Sequence, residues 1–294
     1  MNRTCFAESA DLHENNNMRA PSDLLKSKYL RMKNYALLII VVFLCFTTCK
    51  KEDNYENLCY SSTLISQVNS GDLAVHGLTY NSNCLIYEST EPFLYKKFSY
   101  DAKNSLKKVE LAYSFSPFSC VMVPGQSLES DPRKAEVSQY SEFEYDGALR
   151  LTKKSNYFIN SGNPQLTSFQ AYDYENDKIV KVSIFNAQGK LTHYNNYTYD
   201  NSGNITRDDQ YSNNSVMKLV KTMIFEYDNK NNPYQVFACE GNPGIYTNKN
   251  NIVKETSVSY NGTAESRNTR LNVYEYNSLD YPVKINELDC IYGK

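Results

Sequence analysis

From Phe98 to Asn277 one pattern of apolar and polar positions keeps returning: an aromatic residue, any residue, a tyrosine, then an acid or asparagine. It reads Phe98-Ser-Tyr-Asp101, Phe143-Glu-Tyr-Asp146, Tyr172-Asp-Tyr-Glu175, Tyr197-Thr-Tyr-Asp200, Phe225-Glu-Tyr-Asp228 and Tyr274-Glu-Tyr-Asn277. In the fourth copy the rings of Tyr197 and Tyr199 stand two residues apart and share one face of a strand, while Thr198 points to the other. A turn must follow, and Asp200-Asn-Ser-Gly-Asn204 supplies its chemistry. Aspartate bonds the backbone two residues on, and glycine and asparagine tolerate positive φ. Asp101-Ala-Lys-Asn104, Asn186-Ala-Gln-Gly-Lys190 and Asp228-Asn-Lys-Asn-Asn232 repeat it. Each turn leads into an apolar or Pro start and an alternating return run, such as Ile205 to Tyr211. A period of two excludes a helix and predicts β-hairpins.

Successive phrases are 45, 29, 25, 28 and 49 residues apart, so the two long steps each have room for two units. Weaker phrases, Ser183-Ile-Phe-Asn186 and Val258-Ser-Tyr-Asn261, lie between the strong ones. Repetition at this spacing predicts an array of units that bury surface against their neighbours. The expected fold is all-β, an antiparallel meander of roughly ten to thirteen strands after Leu58. So long a sheet is expected to be either strongly curled or a closed barrel, because flat open sheets expose unpaired edges. Two polar inserts, Pro117 to Val137 and Gly241 to Asn251, are expected to form loops at its rim, where specific contacts concentrate.

Ahead of the repeat, Lys26, Lys28, Arg31 and Lys33 precede the apolar run Ala36 to Phe46. That run is too short to span a bilayer, which takes about 20 residues, but it fits the core of an export signal. It ends in Phe46-Thr-Thr-Cys49, followed at once by Lys50-Lys-Glu-Asp53. This arrangement resembles the signal of Bacteroidetes-type bacterial lipoproteins. The resemblance implies cleavage before Cys49, lipidation of that cysteine and attachment to the outer membrane on its periplasmic or surface face. The implied layout is a signal peptide at 32–48, a polar tether at 49–57 and a repetitive β domain at 58–294. Residues 1–31 read as an over-extended start, since Met32 opens a signal of ordinary length.

Composition narrows the function. The chain has 26 Tyr, 13 Phe and no Trp, and tyrosine suits a pleated surface where the ring packs and the hydroxyl stays wet. Of 31 basic and 33 acidic side chains, 25 and 29 fall in residues 49–294, a net charge near −4 that offers nothing to nucleic acid. An exported chain meets an oxidising compartment. Cys59 with Cys84, and Cys239 with Cys290, are therefore the candidates to pair, the alternative being small buried apolar residues. Cys120 makes the number of mature thiols odd. No Cys-x-x-Cys, His-Glu-x-x-His or Gly-x-Ser-x-Gly occurs, and His76 and His193 are the two histidines after Cys49.

Asp101, Asp146, Asp200 and Asp228 recur once per unit, so they read as turn formers rather than as a catalytic pair. A calcium loop at Asp200 would want a bidentate Glu twelve positions along, where Tyr211 stands. No cofactor or metal is expected. The tyrosine stripes read as core; a curled sheet could also stack sugar rings on them, although tryptophan is absent.

The stretch Tyr199-Asp-Asn-Ser-Gly-Asn-Ile205 resembles the tyrosine-aspartate, or Rhs-type, repeats of bacterial cell-surface proteins. Leader, length and repeats together also resemble lipoprotein families of unknown function, some with a porin-like β architecture. These resemblances imply a fold more than an activity. The resulting expectation is a non-catalytic, membrane-anchored envelope protein that binds or scaffolds, with a glycan or protein as ligand. The alternative is an envelope hydrolase with its site in the rim loops.

Export and lipidation are open to a direct check. Intact mass and amino-terminal sequencing of the precursor should find Met32 as the first residue, and the mature chain should begin at an acylated Cys49. Cys49→Ser should shift the protein from the membrane to the soluble fraction. Residues before Met32 in the precursor would refute the assigned start.

Overall fold

Nearly every alternating run of the sequence is a strand, and all but one pair of successive strands share a ladder. The computed structural model describes residues 63–114, 131–213, 216–262 and 264–293; the leader, Cys49, Cys59, Cys120 and most of the first polar insert lie outside these. The described residues form one compact unit. Its strands are β1 (Ile65–Ser70), β2 (Leu73–Tyr80), β3 (Ile86–Thr90), β4 (Leu94–Tyr100), β5 (Leu106–Tyr113), β6 (Val137–Tyr145), β7 (Leu151–Asn160), β8 (Asn163–Glu175) and β9 (Lys178–Asn186). They continue with β10 (Leu191–Tyr199), β11 (Ile205–Asn213), β12 (Met217–Asn231), β13 (Asn250–Asn261), β14 (Ala264–Leu271), β15 (Tyr274–Tyr276), β16 (Pro282–Ile285) and β17 (Leu288–Tyr292). These 17 strands exceed the expected ten to thirteen because pieces such as β15 and β16, of 3 and 4 residues, are too short for alternation to register.

All 17 strands belong to one antiparallel meander. Consecutive strands pair from β1 to β14 and from β15 to β17, and the last strand returns to the first, with Val68 opposite Cys290. The spatial order is thus β15-β16-β17-β1 and on to β14. The sheet curls strongly but is not closed into a barrel, since β14 and β15 share no ladder. Its edges nevertheless approach. The Asn231 amide donates to the Asp280 carbonyl at 3.0 Å, and the Tyr274 hydroxyl to the Ile252 carbonyl at 2.9 Å.

The repeated phrase has a specific structure. Register slips just before the second aromatic at Tyr80, Tyr100, Tyr145, Tyr174, Tyr199, Tyr227 and Tyr276, so each of these tyrosines follows a β-bulge. Its hydroxyl then reaches back to a carbonyl at or near the start of an earlier strand. Tyr80 donates to Ile65 at 2.6 Å, Tyr100 to Ile86 at 2.7 Å, Tyr145 to Leu106 at 3.0 Å and Tyr174 to Leu151 at 2.9 Å. Tyr199 donates to Ile179 at 2.7 Å, Tyr227 to Ile205 at 2.5 Å and Tyr292 to Pro282 at 2.7 Å. In the last strong phrase the first aromatic, Tyr274, takes this role toward Ile252 at 2.9 Å, while Tyr276 donates to the Asp228 carboxylate. Most of the acceptors are buried aliphatics: Ile65, Ile86, Leu106 and Ile205 are at most 1% exposed. Each ring therefore covers an aliphatic and satisfies the carbonyl that this burial would otherwise strand. Burial pushes the Tyr199 and Tyr274 hydroxyls up to about 12.

The turns are equally regular. Asp101, Asp146, Asn186, Asp200 and Asn277 each accept, through one side-chain oxygen, the backbone N–H groups two and four residues on, and Asn81 does the same. The residue three positions after each is left-handed: Cys84, Asn104, Leu149, Gly189, Gly203 and Asp280. Backbone N–H groups and neighbouring cations hold the carboxyls of Asp101 and Asp146 below the usual carboxylate range. Burial opposes the same shift at Asp200, where the Asn204 amide and further N–H donors prevail.

The face of the sheet away from the core carries three stacked cross-strand pairs. Tyr140 lies on Tyr157, Phe169 on Phe185 and Tyr194 on Tyr211, with centroids 4.7, 4.8 and 4.5 Å apart. A lysine of the preceding strand stands over each, Lys108, Lys153 and Lys181 in turn. Such pairs each add a few tenths of a kcal/mol to about 1 kcal/mol.

Leu149 is a leucine at φ 62°, where the equivalent turns place Gly189 and Gly203, and its side chain is 53% exposed. Relief of left-handed strain exceeds the extra freedom of glycine in the unfolded chain, so Leu149→Gly should stabilise by about 0.5 kcal/mol. Gly203→Ala should destabilise by about 1 kcal/mol. Chemical denaturation of both variants checks the pair, and changes of the opposite sign would refute the turn assignment.

Candidate functional site

The repeat breaks between β12 and β13. At the place of a sixth short turn, Asp228 accepts from the amides of Lys230 and Asn251, and the 18 intervening residues 232–249 fold inward. The rim loop expected over Gly241 to Asn251 is therefore largely a plug: Asn248 and Asn251 are buried at 0% and 4%, and Gly241 is buried too. Polarity suggested solvent, but the asparagines bond internally. Asn248 donates to the Tyr227 hydroxyl at 2.7 Å and accepts from the Ile205 amide at 2.8 Å, and Asn232 donates to the Ile245 and Asn248 carbonyls.

A 3₁₀ helix, Pro233–Glu240, opens the plug. Asn232 caps it by accepting from the Tyr234 amide, Pro233 occupies its first turn, and Gly241 ends it at φ 67°. Gly241 is required doubly, since a Cβ there would come within 2.2 Å of the Leu151 side chain. Phe237, 2% exposed, enters the core between His76 and Phe98, with Tyr246 5.1 Å away.

Charged groups fix the far end of the helix. The Glu240 carboxylate, 6% exposed as a residue, pairs with Lys96 at 3.3 Å. Lys154 donates to the Glu240 carbonyl and to the Asn242 side-chain oxygen, both at 3.3 Å. Burial pulls the Lys154 ammonium below its ordinary range despite the attraction of Glu240. Lys154 and Lys96 also stand 5.5 and 5.9 Å from the Phe143 and Phe237 rings.

Cys239 and Cys290 are free thiols, so the disulfide expected between them is not formed. Cys239 lies beside the Tyr100 hydroxyl at 3.9 Å, and Cys290 is buried in β17 opposite Val68. Each packs where its own strand or helix places it, and burial raises both to about 11. Cys84 is disulfide-bonded, while Cys59, its expected partner, lies outside the described residues, as does Cys49. Asp101 and Asp146 border one shallow cleft and Asp200 and Asp228 another, so the four do not converge on one site. Among the described residues no group of three or more His, Cys, Asp or Glu could hold a metal.

Beside the plug lies a cleft of about 440 Å³. It is lined by Tyr234, Ile245 and Tyr246 of the plug, by His76 and Glu91, and by Arg270, Tyr274 and Leu288 of the last strands. His76 Nε2 lies 2.7 Å from the Ser89 hydroxyl. Burial lowers the His76 pKa, with Glu91 opposing and Lys96 assisting, so the ring is neutral at pH 7. Sequence reasoning missed this cleft, because its residues come from β1, β2, the β3–β4 turn, the strands and connections from β14 to β17, and the plug, and share no motif.

No protein-family model matches the sequence, and no curated protein matches it. Solved structures do. A porin-like protein from Bacteroides vulgatus aligns at 12% identity with a TM-score of 0.47, over 79% of this chain and 99% of that one. A porin-like protein from Bacteroides uniformis aligns at 11% identity with a TM-score of 0.44, over 79% and 98%. TcdB2-TccC3 aligns at 16% identity and a TM-score of 0.30, over 69% of this chain but only 11% of that one.

The thiols make the plug testable. Alkylation with iodoacetamide at pH 8 followed by peptide mapping should leave Cys239 and Cys290 unmodified in the native protein and modify both after denaturation without reductant. A peptide linked through Cys239 and Cys290 would refute the free-thiol assignment.

Proposed function

We propose that this chain is a non-catalytic binding protein of the cell envelope, held at the outer membrane through Cys49, with its ligand site in the cleft beside the plug. One observation carries the reading. The ordinary turns satisfy their own polar groups, whereas the broken repeat borders a cleft in which the Glu91 carboxylate and the Tyr246 hydroxyl make no hydrogen bond among the described residues. A cleft of this size, with half-buried rings and a few polar groups left over, has the make-up of a small-ligand site. The lipoprotein-like leader supports the location.

A hydrolase reading rests on the His76 and Ser89 contact, with Glu91 near the imidazole. Ser89 is 1% exposed and does not line the cleft, so its hydroxyl serves to orient His76 rather than to meet a substrate.

Saturation-transfer NMR of the full-length protein with muropeptides, chito-oligosaccharides and dipeptides tests the assignment. At least one ligand should bind, and Tyr246→Ala should weaken it about tenfold with thermal unfolding little changed. Turnover of a panel member that Ser89→Ala abolishes would replace binding with hydrolysis.

A further inference from the structure

The cleft carries opposite charges in different places. Glu91 sits beside His76 and Tyr246, and its negative charge acts on both. Arg270, on the edge strand β14, sits beside Tyr274 and acts on that ring's hydroxyl. Glu91 and Arg270 both line the cleft but form no ion pair with each other, Arg270 pairing with Glu255 instead.

Both are available to a ligand. The Glu91 carboxylate accepts no hydrogen bond from the described residues, and nearby Lys96 is committed to Glu240 at 3.3 Å. Arg270 has a single contact at 3.4 Å, to Glu255, which leaves most of its fork of donors open. The same cleft is lined by Tyr234, Tyr246 and Tyr274, all half-buried, and by Ile245, 46% exposed.

A purely anionic ligand would meet Glu91, and a purely cationic one would meet Arg270. A neutral sugar would leave both charges unanswered as it displaced their water. A molecule with an ammonium at one end, a carboxylate at the other and an apolar side chain between them answers all three features. Deepening the binding role proposed above, and resting on it, we propose that the cleft takes a short peptide with free termini, its ammonium on Glu91 and its carboxylate on Arg270. The ammonium also faces the Tyr246 ring, and the guanidinium offers a carboxylate two parallel N–H groups.

Calorimetric titration of the full-length protein with phenylalanyl-alanine, its N-acetyl form and its C-terminal amide tests the proposal. The free dipeptide should bind, and each capped form should bind about tenfold more weakly. Glu91→Gln should erase the penalty for acetylation while keeping that for amidation, and Arg270→Gln should do the reverse. Each variant is judged by the ratio between its own ligands, so a general loss of stability cannot mimic the result. Equal binding of capped and free forms, or no binding of any of them, would overturn the peptide assignment. If none binds but a chito-oligosaccharide does, and Tyr246→Ala abolishes that binding, the peptide class falls and the cleft remains a ligand site.

Discussion

A tyrosine hydroxyl donated to the carbonyl of a buried aliphatic is the interaction on which the rest of this molecule depends. A meander of short hairpins has only local ladders, and nothing in the ladder alone makes one hairpin pack on the one before. Tyr100 on Ile86, Tyr145 on Leu106, Tyr174 on Leu151 and Tyr227 on Ile205 make that connection. The bulge before each tyrosine breaks the ladder, and the ring crosses backwards over the aliphatic. One bond of this kind contributes about 1 kcal/mol, but the carbonyl would cost more if buried without a partner. Bulges also bend and twist strands, so the device that joins the units curls the sheet as well.

Curling creates an interior, and the interior must be filled. The repeat can supply tyrosines and aliphatics but nothing large enough to occupy the middle, and the break after Asp228 provides the filler. Phe237 brings the apolar bulk, Gly241 lets the backbone pass Leu151, and Glu240 carries a charge into the core to meet Lys96. A buried pair of this kind is a poor source of net stability, because its desolvation offsets its attraction. Its effect is on placement: in an apolar pocket the helix could slide, whereas a helix end with its carboxylate on Lys96 and its last carbonyl on Lys154 has one position. The cleft beside the plug follows from the same break, since an irregular filler does not match a regular wall.

The outer face shows how a single layer is stabilised without a second sheet. Three stacked aromatic pairs, each under a lysine ammonium, shield the strands on this face. The edge strand β14 is exposed at every position and carries Glu265, Arg267 and Arg270, the polar dress that deters pairing with another sheet.

What was local was legible from the amino acids. Alternation, the Asp-to-Asn turns and the aromatic phrase specified hairpins, their order and the structural role of Asp101, Asp146 and Asp200, because neighbouring backbone atoms answer those requirements within four residues. The tyrosine face was legible too, since a period of two puts both rings of a phrase on one side. Whatever depended on distant segments was not. Polarity made residues 241–251 look like solvent-facing loop, yet their asparagines are satisfied by one another and by Tyr227 inside the sheet. Cysteine number suggested a bond between Cys239 and Cys290, yet each is held by its own element as a free thiol. Lys154 and Glu240 belong to no motif, and only the curl brought them together. The residue types determined a curled meander; tertiary structure decided that its ladder stays open, that the break in the repeat turns inward, and that Glu91 and Arg270 line one cleft, because those outcomes depend on which distant surfaces meet when the sheet bends.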